Sequence, residues 1–203
     1  MSTIENALRS GRSAADQVAA AAAARRLVAG AEDRGLLDVA WSRVDSPLGT
    51  LLVAGTSGGL CALWYEEDRV DAFLETLARR LSPRVLEAPG RLDPVRRELD
   101  EYFTGRRHEF TIDVDWSLVG GFAERVLRAA AAIPYGSVRT YRDVAATAGN
   151  PKASRAAGNA LGSNPLALVV PCHRVLRTGG GLGGYTTGVH KKEYLLTLEG
   201  VRL

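Results

Sequence analysis

One stretch of the sequence places a thiol directly beside an imidazole: Cys172 and His173 stand between Pro171 and Arg174. The thiolate is the nucleophilic form of cysteine, and histidine is the side chain best suited to take its proton near neutral pH. Adjacent residues of a helix do not face each other, so in a helical stretch His173 would reach Cys172 through one bridging water. A buried structural cysteine beside a surface histidine is the competing interpretation, because cysteine is among the most buried residue types.

Bulk composition limits the setting in which this thiol works. The chain has 203 residues, of which 46% are hydrophobic and 24% charged, as in an ordinary globular protein with a substantial core. Its two cysteines, Cys61 and Cys172, do not make a disulfide framework, and we expect both to be free thiols in a reducing compartment. No apolar run approaches the roughly 20 residues of a membrane span, so we expect a cytoplasmic protein without a membrane partner.

Charge is divided unevenly along the chain. Residues 1–115 contain 15 Lys and Arg against 19 Asp and Glu, whereas residues 116–203 contain 11 against 4. An acidic first half followed by a basic second half indicates that the second half meets a polyanion. The alternative is that the charge is spread over all faces and only aids solubility.

Composition also divides the chain into three regions. Residues 1–38, rich in Ala, Ser and Arg, form an N-terminal extension that is helical over 17–28 or partly disordered. Residues 39–115 form an N-terminal α/β domain, and residues 116–203 form a C-terminal domain. The predicted fold class is therefore α/β: a small N-terminal β-sheet domain with helices, joined to a mostly helical domain that contains a helix-turn-helix and the active-site cysteine.

Within the N-terminal domain, short apolar runs alternate with turn residues. This pattern predicts an antiparallel meander over residues 39–66, with Cys61 in its core. Apolar residues at helical spacing predict helices over 70–81 and 92–103, and a last strand is expected over 110–114.

In the C-terminal domain, two short predicted helices meet at a tight turn. Thr140 and Asp143 form a capping-box start for a helix over 141–148, and a second helix follows over 152–161. This is a helix-turn-helix signal, with an ordinary helical hairpin as the alternative. The remaining elements are a buried apolar run over 166–170, a glycine-rich wall over 179–188 and a closing helix over 191–198.

Several short motifs stand in a fixed order along this second half. They are Ile133-Pro134-Tyr135-Gly136, Thr140-Tyr141, Asn150-Pro151-Lys152, Ser154-Arg155-Ala156, Asn164-Pro165, Pro171-Cys172-His173-Arg174-Val175, Gly184-Tyr185, Lys192 and Leu198-Glu199-Gly200. In this order they resemble the O6-alkylguanine-DNA alkyltransferases, also called methylated-DNA–protein-cysteine methyltransferases. The resemblance implies direct DNA repair: single-turnover transfer of the alkyl group of O6-alkylguanine, with O4-alkylthymine as a further candidate substrate, to the protein's own cysteine.

The resemblance assigns catalytic roles to four residues. Cys172 would be the alkyl acceptor, His173 its base through a water, and Glu199 the group that holds the imidazole in orientation. Tyr141 would press on the target nucleotide's phosphate and help to protonate the departing guanine. On this hypothesis the Cys172 sulfur lies ionised at the floor of a slot for an everted purine.

Further residues are assigned to substrate and DNA by the same resemblance. Asn164 would tie the helix-turn-helix to the active-site segment, and Arg155 would fill the gap left in the duplex. The substrate-binding set is Asn164, Val170, Tyr185 and Thr186, and the DNA-binding set is Tyr141, Lys152, Arg155, Ala156 and Gly158.

The sequence also limits cofactors, partners and rival functions. We expect no metal and no cofactor, since Cys61 and the distant His108 do not make a zinc site. The expected partner is double-stranded DNA carrying alkylated guanine, bound by a monomer, with clustering on DNA left open. The first rival is a protein that binds alkylguanine without transfer, but those relatives carry tryptophan in place of the cysteine. The second is a thiol hydrolase or redox protein, and the Cys-x-x-Cys of a redox pair is absent.

Overall fold

A computed structural model describes residues 14–65 and 69–202 of the chain, so the first 13 positions of the predicted extension lie outside the described residues. The first element is helix α1, Ala14–Asp33, which is longer than the predicted 17–28. Half of its residues are alanine, which favours a helix but offers little apolar surface. Near its end Ala31 packs in a small cluster with Leu37 and Ala40, and this contact fixes the helix beside the sheet.

A four-stranded sheet forms the centre of the N-terminal region. Its strands are β1 (Val39–Val44), β2 (Leu51–Thr56), β3 (Gly59–Tyr65) and β4 (Val85–Glu87), in the spatial order β3-β2-β1-β4. The first three form the predicted antiparallel meander, and β4 runs parallel to β1. Successive side chains of a strand point to opposite faces, so both faces of the apolar strand β2 are buried.

Two helices accompany the sheet, at the positions that the sequence predicts. Helix α2, Val70–Arg80, buries Phe73 and Leu77 against one face of the sheet. Helix α3, Asp93–Phe103, follows a short 3-10 turn and directs Leu99 and Tyr102 into the larger core on the other face.

The prediction of a strand over residues 110–114 is wrong. Only one bridge forms there, between Leu60 and Val114, and the backbone N–H of Thr111 donates to the carboxylate of Glu98 at 2.8 Å instead of to a strand. The sheet gains its fourth strand from residues 85–87, a run too short to stand out as a pattern.

The C-terminal region is mostly helical, as expected. Its helices are α4 (Gly121–Ala131), α5 (Tyr141–Thr147), α6 (Ser154–Gly162) and α7 (Val189–Leu198). Helices α4, α5 and α6 pack on one another. Helix α6 begins two residues later than predicted, because the Asn150 side chain accepts the Lys152 N–H and holds that residue in the preceding turn.

One short parallel pair ties distant parts of the C-terminal region together. Strand β5, Arg139–Thr140, pairs with β6, Val175–Leu176. The residue after β5 therefore lies near the residues that precede β6.

A single hydrophobic core joins the two regions. It contains Val53 and Leu63 of the sheet together with Leu127 and Leu166 of the C-terminal region. The Leu63 N–H donates to the carbonyl of Pro165 at 2.7 Å, so the edge of the sheet holds the segment that leads to the cysteine. None of the described helices is long and apolar enough to cross a membrane.

Candidate active site

A cavity of about 950 Å³ lies between the edge of the sheet, helices α5 and α6, and the glycine-rich segment. Cys172 lines this cavity, and the residue as a whole is only partly buried. Its position at the cavity argues against the alternative interpretation of Cys172 as a structural cysteine in the core. Cys61, by contrast, is fully buried in the sheet, as predicted.

The chain that carries Cys172 is wound unusually tightly. The N–H of Val169 donates to the carbonyl of Ala167, which closes a three-residue turn around Leu168, whose φ is 70°. Non-glycine residues rarely adopt this conformation, and the fully buried Leu168 side chain holds it in place. Pro171, with φ −80° and ψ 66°, is the centre of a second such turn, and a 3-10 turn over Cys172–Arg174 follows at once. The backbone thereby presents the thiol at a fixed point of the cavity wall.

Asn164 connects helix α6 to this segment. Its Nδ2 donates to the carbonyl of Val170 at 2.9 Å, and its Oδ1 accepts the N–H of Leu166 at 3.0 Å. Asn164 also lines the cavity beside Cys172. One amide side chain therefore fixes the turn that leads to the cysteine.

The imidazole of His173 is fully buried and paired with a carboxylate. Its Nε2 lies 2.9 Å from Oε1 of Glu199, the residue that ends helix α7. Oε1 also accepts the hydroxyl of Tyr102 at 2.7 Å, and Arg174 donates to both carboxylate oxygens, at 2.8 and 2.9 Å. Four residues thus form one buried network around a single negative charge.

The charge states of this network follow from burial and hydrogen bonding. Burial acts to raise the pKa of Glu199, but hydrogen bonds from His173, Arg174 and Tyr102 outweigh it and lower the pKa to about 2. Burial lowers the pKa of His173, and the contact with Glu199 offsets only part of that effect. A carboxylate can only accept, so the proton of the neutral imidazole is on Nε2. The Nδ1 atom, which has no partner among the described residues, is left as an acceptor.

Burial of the Cys172 sulfur favours the neutral thiol at rest, whereas the sequence led us to expect an ionised sulfur. Burial raises the pKa of Cys172, and the hydrogen bond from Asn164, the charge of Lys192 and the hydrogen bond from Tyr185 offset only part of the rise. The sulfur must therefore lose its proton during the reaction, which a neutral imidazole next to it in the chain can accept.

Tyr141 is brought to the cavity by the pairing of β5 with β6. It is the first residue of helix α5, whose predicted capping box forms: Thr140 Oγ1 accepts the Asp143 N–H at 3.1 Å, and Asp143 accepts the Thr140 N–H at 3.0 Å. Burial raises the pKa of the Tyr141 hydroxyl, and the nearby Cys172 raises it further to a smaller extent. The hydroxyl therefore keeps its proton and can donate it. Gly158 of helix α6 faces the Tyr141 ring.

The remaining predicted site residues do not all reach the cavity. Arg155, Gly158, Tyr185 and Thr186 line it, and Thr186 donates to the carbonyl of Gly162 at 2.7 Å. Val170 does not: its side chain is fully buried in the core, and only its carbonyl takes part, as the acceptor for Asn164. Lys152 and Ala156 are exposed on the surface beyond the cavity lining.

Three further residues shape the site and were not assigned from the sequence. Tyr102 and Arg174 hold Glu199, as described above. Lys192 is completely buried, and its ammonium donates to the carbonyls of Val175 and Leu182 at 2.6 Å each. Burial lowers its pKa to about 8. Arg174 and Lys192 stand within the ordered motifs, whereas Tyr102 comes from the other region, and only the fold reveals it.

The two other histidines of the chain, His108 and His190, lie on the surface. His108, expected to be simply solvated, is exposed but stacks on the ring of Tyr135 at 4.2 Å. His190 is exposed, as expected. Across residues 14–65 and 69–202, no group of three or more His, Cys, Asp or Glu side chains is arranged to hold a metal ion.

Two family profiles match the chain in succession. Residues 39–116 match the profile described as 6-O-methylguanine DNA methyltransferase, ribonuclease-like domain, and residues 121–201 match 6-O-methylguanine DNA methyltransferase, DNA binding domain. The chain belongs to the 6-O-methylguanine DNA methyltransferase family. The family inferred from the ordered motifs is thereby confirmed.

Members of the 6-O-methylguanine DNA methyltransferase family resemble most of the chain. The methylated-DNA–protein-cysteine methyltransferase of Methanosarcina acetivorans is 38% identical over 157 residues, which are 77% of this chain and 95% of the relative. The protein of the same description from Mycobacterium tuberculosis is also 38% identical, over 77% of this chain and 89% of its own.

Solved structures of this family confirm the predicted fold class. The crystal structure of Mycobacterium tuberculosis O6-methylguanine methyltransferase has a TM-score of 0.68 at 37% identity, over 79% of this chain and 92% of that one. Mycobacterium tuberculosis OGT in complex with DNA has a TM-score of 0.67 at 36% identity, with the same coverage.

Proposed function

We propose that Cys172 is the residue by which this chain, a methylated-DNA–protein-cysteine methyltransferase that repairs DNA by direct alkyl transfer, accepts the alkyl group of O6-alkylguanine. The observation that carries the proposal is the buried pair of Glu199 and His173 directly beside a cysteine that lines a cavity. It matches the nucleophile, base and orienting group of other nucleophilic active sites.

The proton of the thiol leaves through His173. A water between the Cys172 sulfur and Nδ1 of His173 relays the proton, since the imidazole is neutral and its other nitrogen is committed to Glu199. The imidazolium that forms is stabilised by a carboxylate that stays ionised down to a pH of about 2.

The alkyl group then changes partners in one displacement. A bond forms between the sulfur and the alkyl carbon, while the bond between that carbon and O6 breaks and its electron pair passes into the purine. Guanine takes up one proton in exchange: the hydroxyl of Tyr141, which lines the cavity, supplies it, and the proton that His173 received restores that hydroxyl through solvent. No described group in the cavity would cleave the resulting thioether, so each molecule reacts once.

DNA is the partner of this chain, and the lesion must leave the helix to react. The O6 atom lies inside the duplex, and extrusion of a base costs a few kcal/mol, least for a weakened pair. Arg155, on helix α6 at the cavity, is suited to occupy the vacated position. We propose that the protein binds alkylated duplexes as a monomer and that O4-alkylthymine is a second substrate.

Mass spectrometry after mixing with a duplex that contains O6-methylguanine tests the proposal. We expect a mass gain of one methylene, located on Cys172, and no more than one methyl group removed per protein molecule. Cys172→Ala should acquire no methyl group yet still bind the duplex, while Cys61→Ala, which changes the buried thiol, should be methylated normally. Repeated turnover, or a methyl group on another residue, would contradict the assignment.

A further inference from the structure

The wall of the active-site cavity carries charge of one sign. Among the described residues, five arginines line it and no aspartate or glutamate does. Three belong to the C-terminal region and two to the N-terminal region: they are Arg142, Arg155, Arg177, Arg69 and Arg80. A concave surface that carries cations without opposite charges attracts a polyanion, because its low-dielectric walls concentrate the electric field. The sequence led us to expect such a surface only in the basic second half of the chain.

The two arginines of the N-terminal region stand at the two ends of helix α2. Arg69 directly precedes its first residue, and Arg80 is its last. Together with Thr76 they have the spacing i, i+7 and i+11, which places all three on one face of a helix. That face lines the cavity, whereas the acidic residues of the same helix, Asp71 and Glu75, do not. Helix α2 therefore turns cations, and no carboxylate, towards the cavity.

Both guanidinium groups can receive a ligand. Arg69 and Arg80 are exposed, and neither forms an ion pair with a carboxylate of residues 14–65 or 69–202. The Arg69 guanidinium lies over the ring of Trp64, 4.9 Å from the ring centroid. Stacking covers the face of a guanidinium but leaves N–H donors at its edge, and these are the groups with which arginine binds a phosphate.

The separation of the two arginines limits what they can bind together. A helix rises 1.5 Å per residue, so the backbones of Arg69 and Arg80 are about 16 Å apart along the axis. A single phosphate or a small anion cannot meet both. A DNA strand carries one phosphate for about every 3.4 Å of its axis, so a strand that passes the cavity offers separate phosphates to the two side chains.

We propose that the protein holds the duplex from both sides of the cavity, with helix α6 on one side and the face of helix α2 that carries Arg69 and Arg80 on the other. These two arginines bind backbone phosphates, and such contacts position the duplex without reading its sequence. The inference rests on the proposed function, which brings an alkylated base in DNA to Cys172. It makes the N-terminal region a part of the DNA interface.

The salt dependence of DNA binding tests this surface, since each phosphate contact adds a fixed amount to the slope. Arg69→Gln/Arg80→Gln is compared with Arg79→Gln/Arg97→Gln, which removes the same charge from two exposed arginines that do not line the cavity. Both double variants and their parent carry Cys172→Ala, so that binding to an O6-methylguanine duplex is measured without transfer. The duplex is short enough for one protein molecule, and fluorescence anisotropy gives the dissociation constant over a range of salt concentrations.

Two phosphate contacts should contribute about 1.8 to the slope of the logarithm of affinity against the logarithm of salt concentration. Arg69→Gln/Arg80→Gln should lose about that much of the slope and bind about thirtyfold more weakly than its parent at 0.15 M salt. Arg79→Gln/Arg97→Gln should stay within about twofold of the parent, because charges away from the interface are screened.

Equal slopes and affinities in the two double variants would overturn the proposal. Weaker binding with an unchanged slope would also overturn it, because a damaged fold, and not a lost phosphate contact, gives that result. A defect confined to longer duplexes would assign the arginines to contacts between neighbouring protein molecules and would overturn it as well. The binding measurement involves no transfer, so a failure of the proposed function would appear separately, as absent methylation of Cys172 in the wild type.

Discussion

At the scale of single residues, the site depends on how one carboxylate sets the state of one imidazole. Glu199 remains ionised although it is buried, and it therefore accepts the Nε2 proton of His173. The imidazole stays neutral, since burial lowers its pKa. The result is a base that is ready before the substrate arrives.

Glu199→Gln tests this arrangement. The free energy of unfolding of this variant should be about 3–5 kcal/mol lower than that of the wild type at pH 7, because Arg174 keeps a buried charge without its partner. Methyl transfer should slow by at least about tenfold, since the imidazolium loses its stabilising charge. Urea unfolding and single-turnover rates measure both effects. Glu87→Gln, which alters an exposed pair with Arg43, is the control and should change neither.

The Glu199 carboxylate also makes the free energy of unfolding fall as the pH is lowered. Its pKa in the folded protein, about 2, is below the ordinary value of 4.5, so its contribution is complete above about pH 4.5 and is lost as pH falls towards 2. Urea unfolding between pH 3 and 7 should show that loss in the wild type and much less of it in Glu199→Gln. Equal slopes in the two proteins would contradict the charge state assigned to Glu199.

Sequence reasoning reached part of this residue-level chemistry. Cys172, His173 and Glu199 stand in motifs with a fixed order, so their roles could be inferred without a structure. The raised pKa of the thiol could not, because it depends on how deeply the cavity buries the sulfur. Tyr102 lies more than 60 residues before the cysteine, and no local pattern connects it to the site.

At the scale of elements, the site depends on short pieces whose ends are fixed. The two-residue strands β5 and β6 bring Tyr141 towards the cysteine, and the capping box begins helix α5 at that residue. Helix positions could be predicted from periodicity and capping. The same patterns could not show that residues 110–114 do not form a strand. There the backbone N–H of Thr111 donates to Glu98 instead of to a neighbouring strand.

Thr140→Ala tests the importance of that helix start. Loss of the cap should lower the free energy of unfolding by about 1 kcal/mol. It should also slow methyl transfer, because Tyr141 is the first residue of the helix. Thr147→Ala, an exposed position at the other end of the same helix, is the control for urea unfolding and single-turnover rates. Equal behaviour of the two variants would mean that the cap does not position Tyr141.

At the scale of the whole molecule, the two regions share one core and one charged network. Tyr102 of helix α3 donates to Glu199 of the C-terminal region, and the Leu63 N–H donates to Pro165. We therefore expect the regions to unfold together.

Tyr102→Phe tests that coupling. Loss of a buried hydrogen bond to a charged group should cost about 2 kcal/mol and lower the melting temperature by roughly 4–8 °C. In a Trp116→Phe background, fluorescence of Trp41 and Trp64 reports on the sheet and circular dichroism reports on the helices, so both signals should shift by the same amount. Two separate transitions, with only one of them moved, would contradict a shared core.

The position of Glu199 has a consequence for how this protein can change over evolutionary time. The same two oxygen atoms set the strength of the catalytic base and join a helix end, an arginine, a backbone turn at Gly136 and a tyrosine of the other region. A mutation that retunes the reaction at this point would also weaken the scaffold. Adaptation of the reaction rate is therefore easier at the cavity wall, where a substitution affects the ligand and leaves the joint between the regions intact.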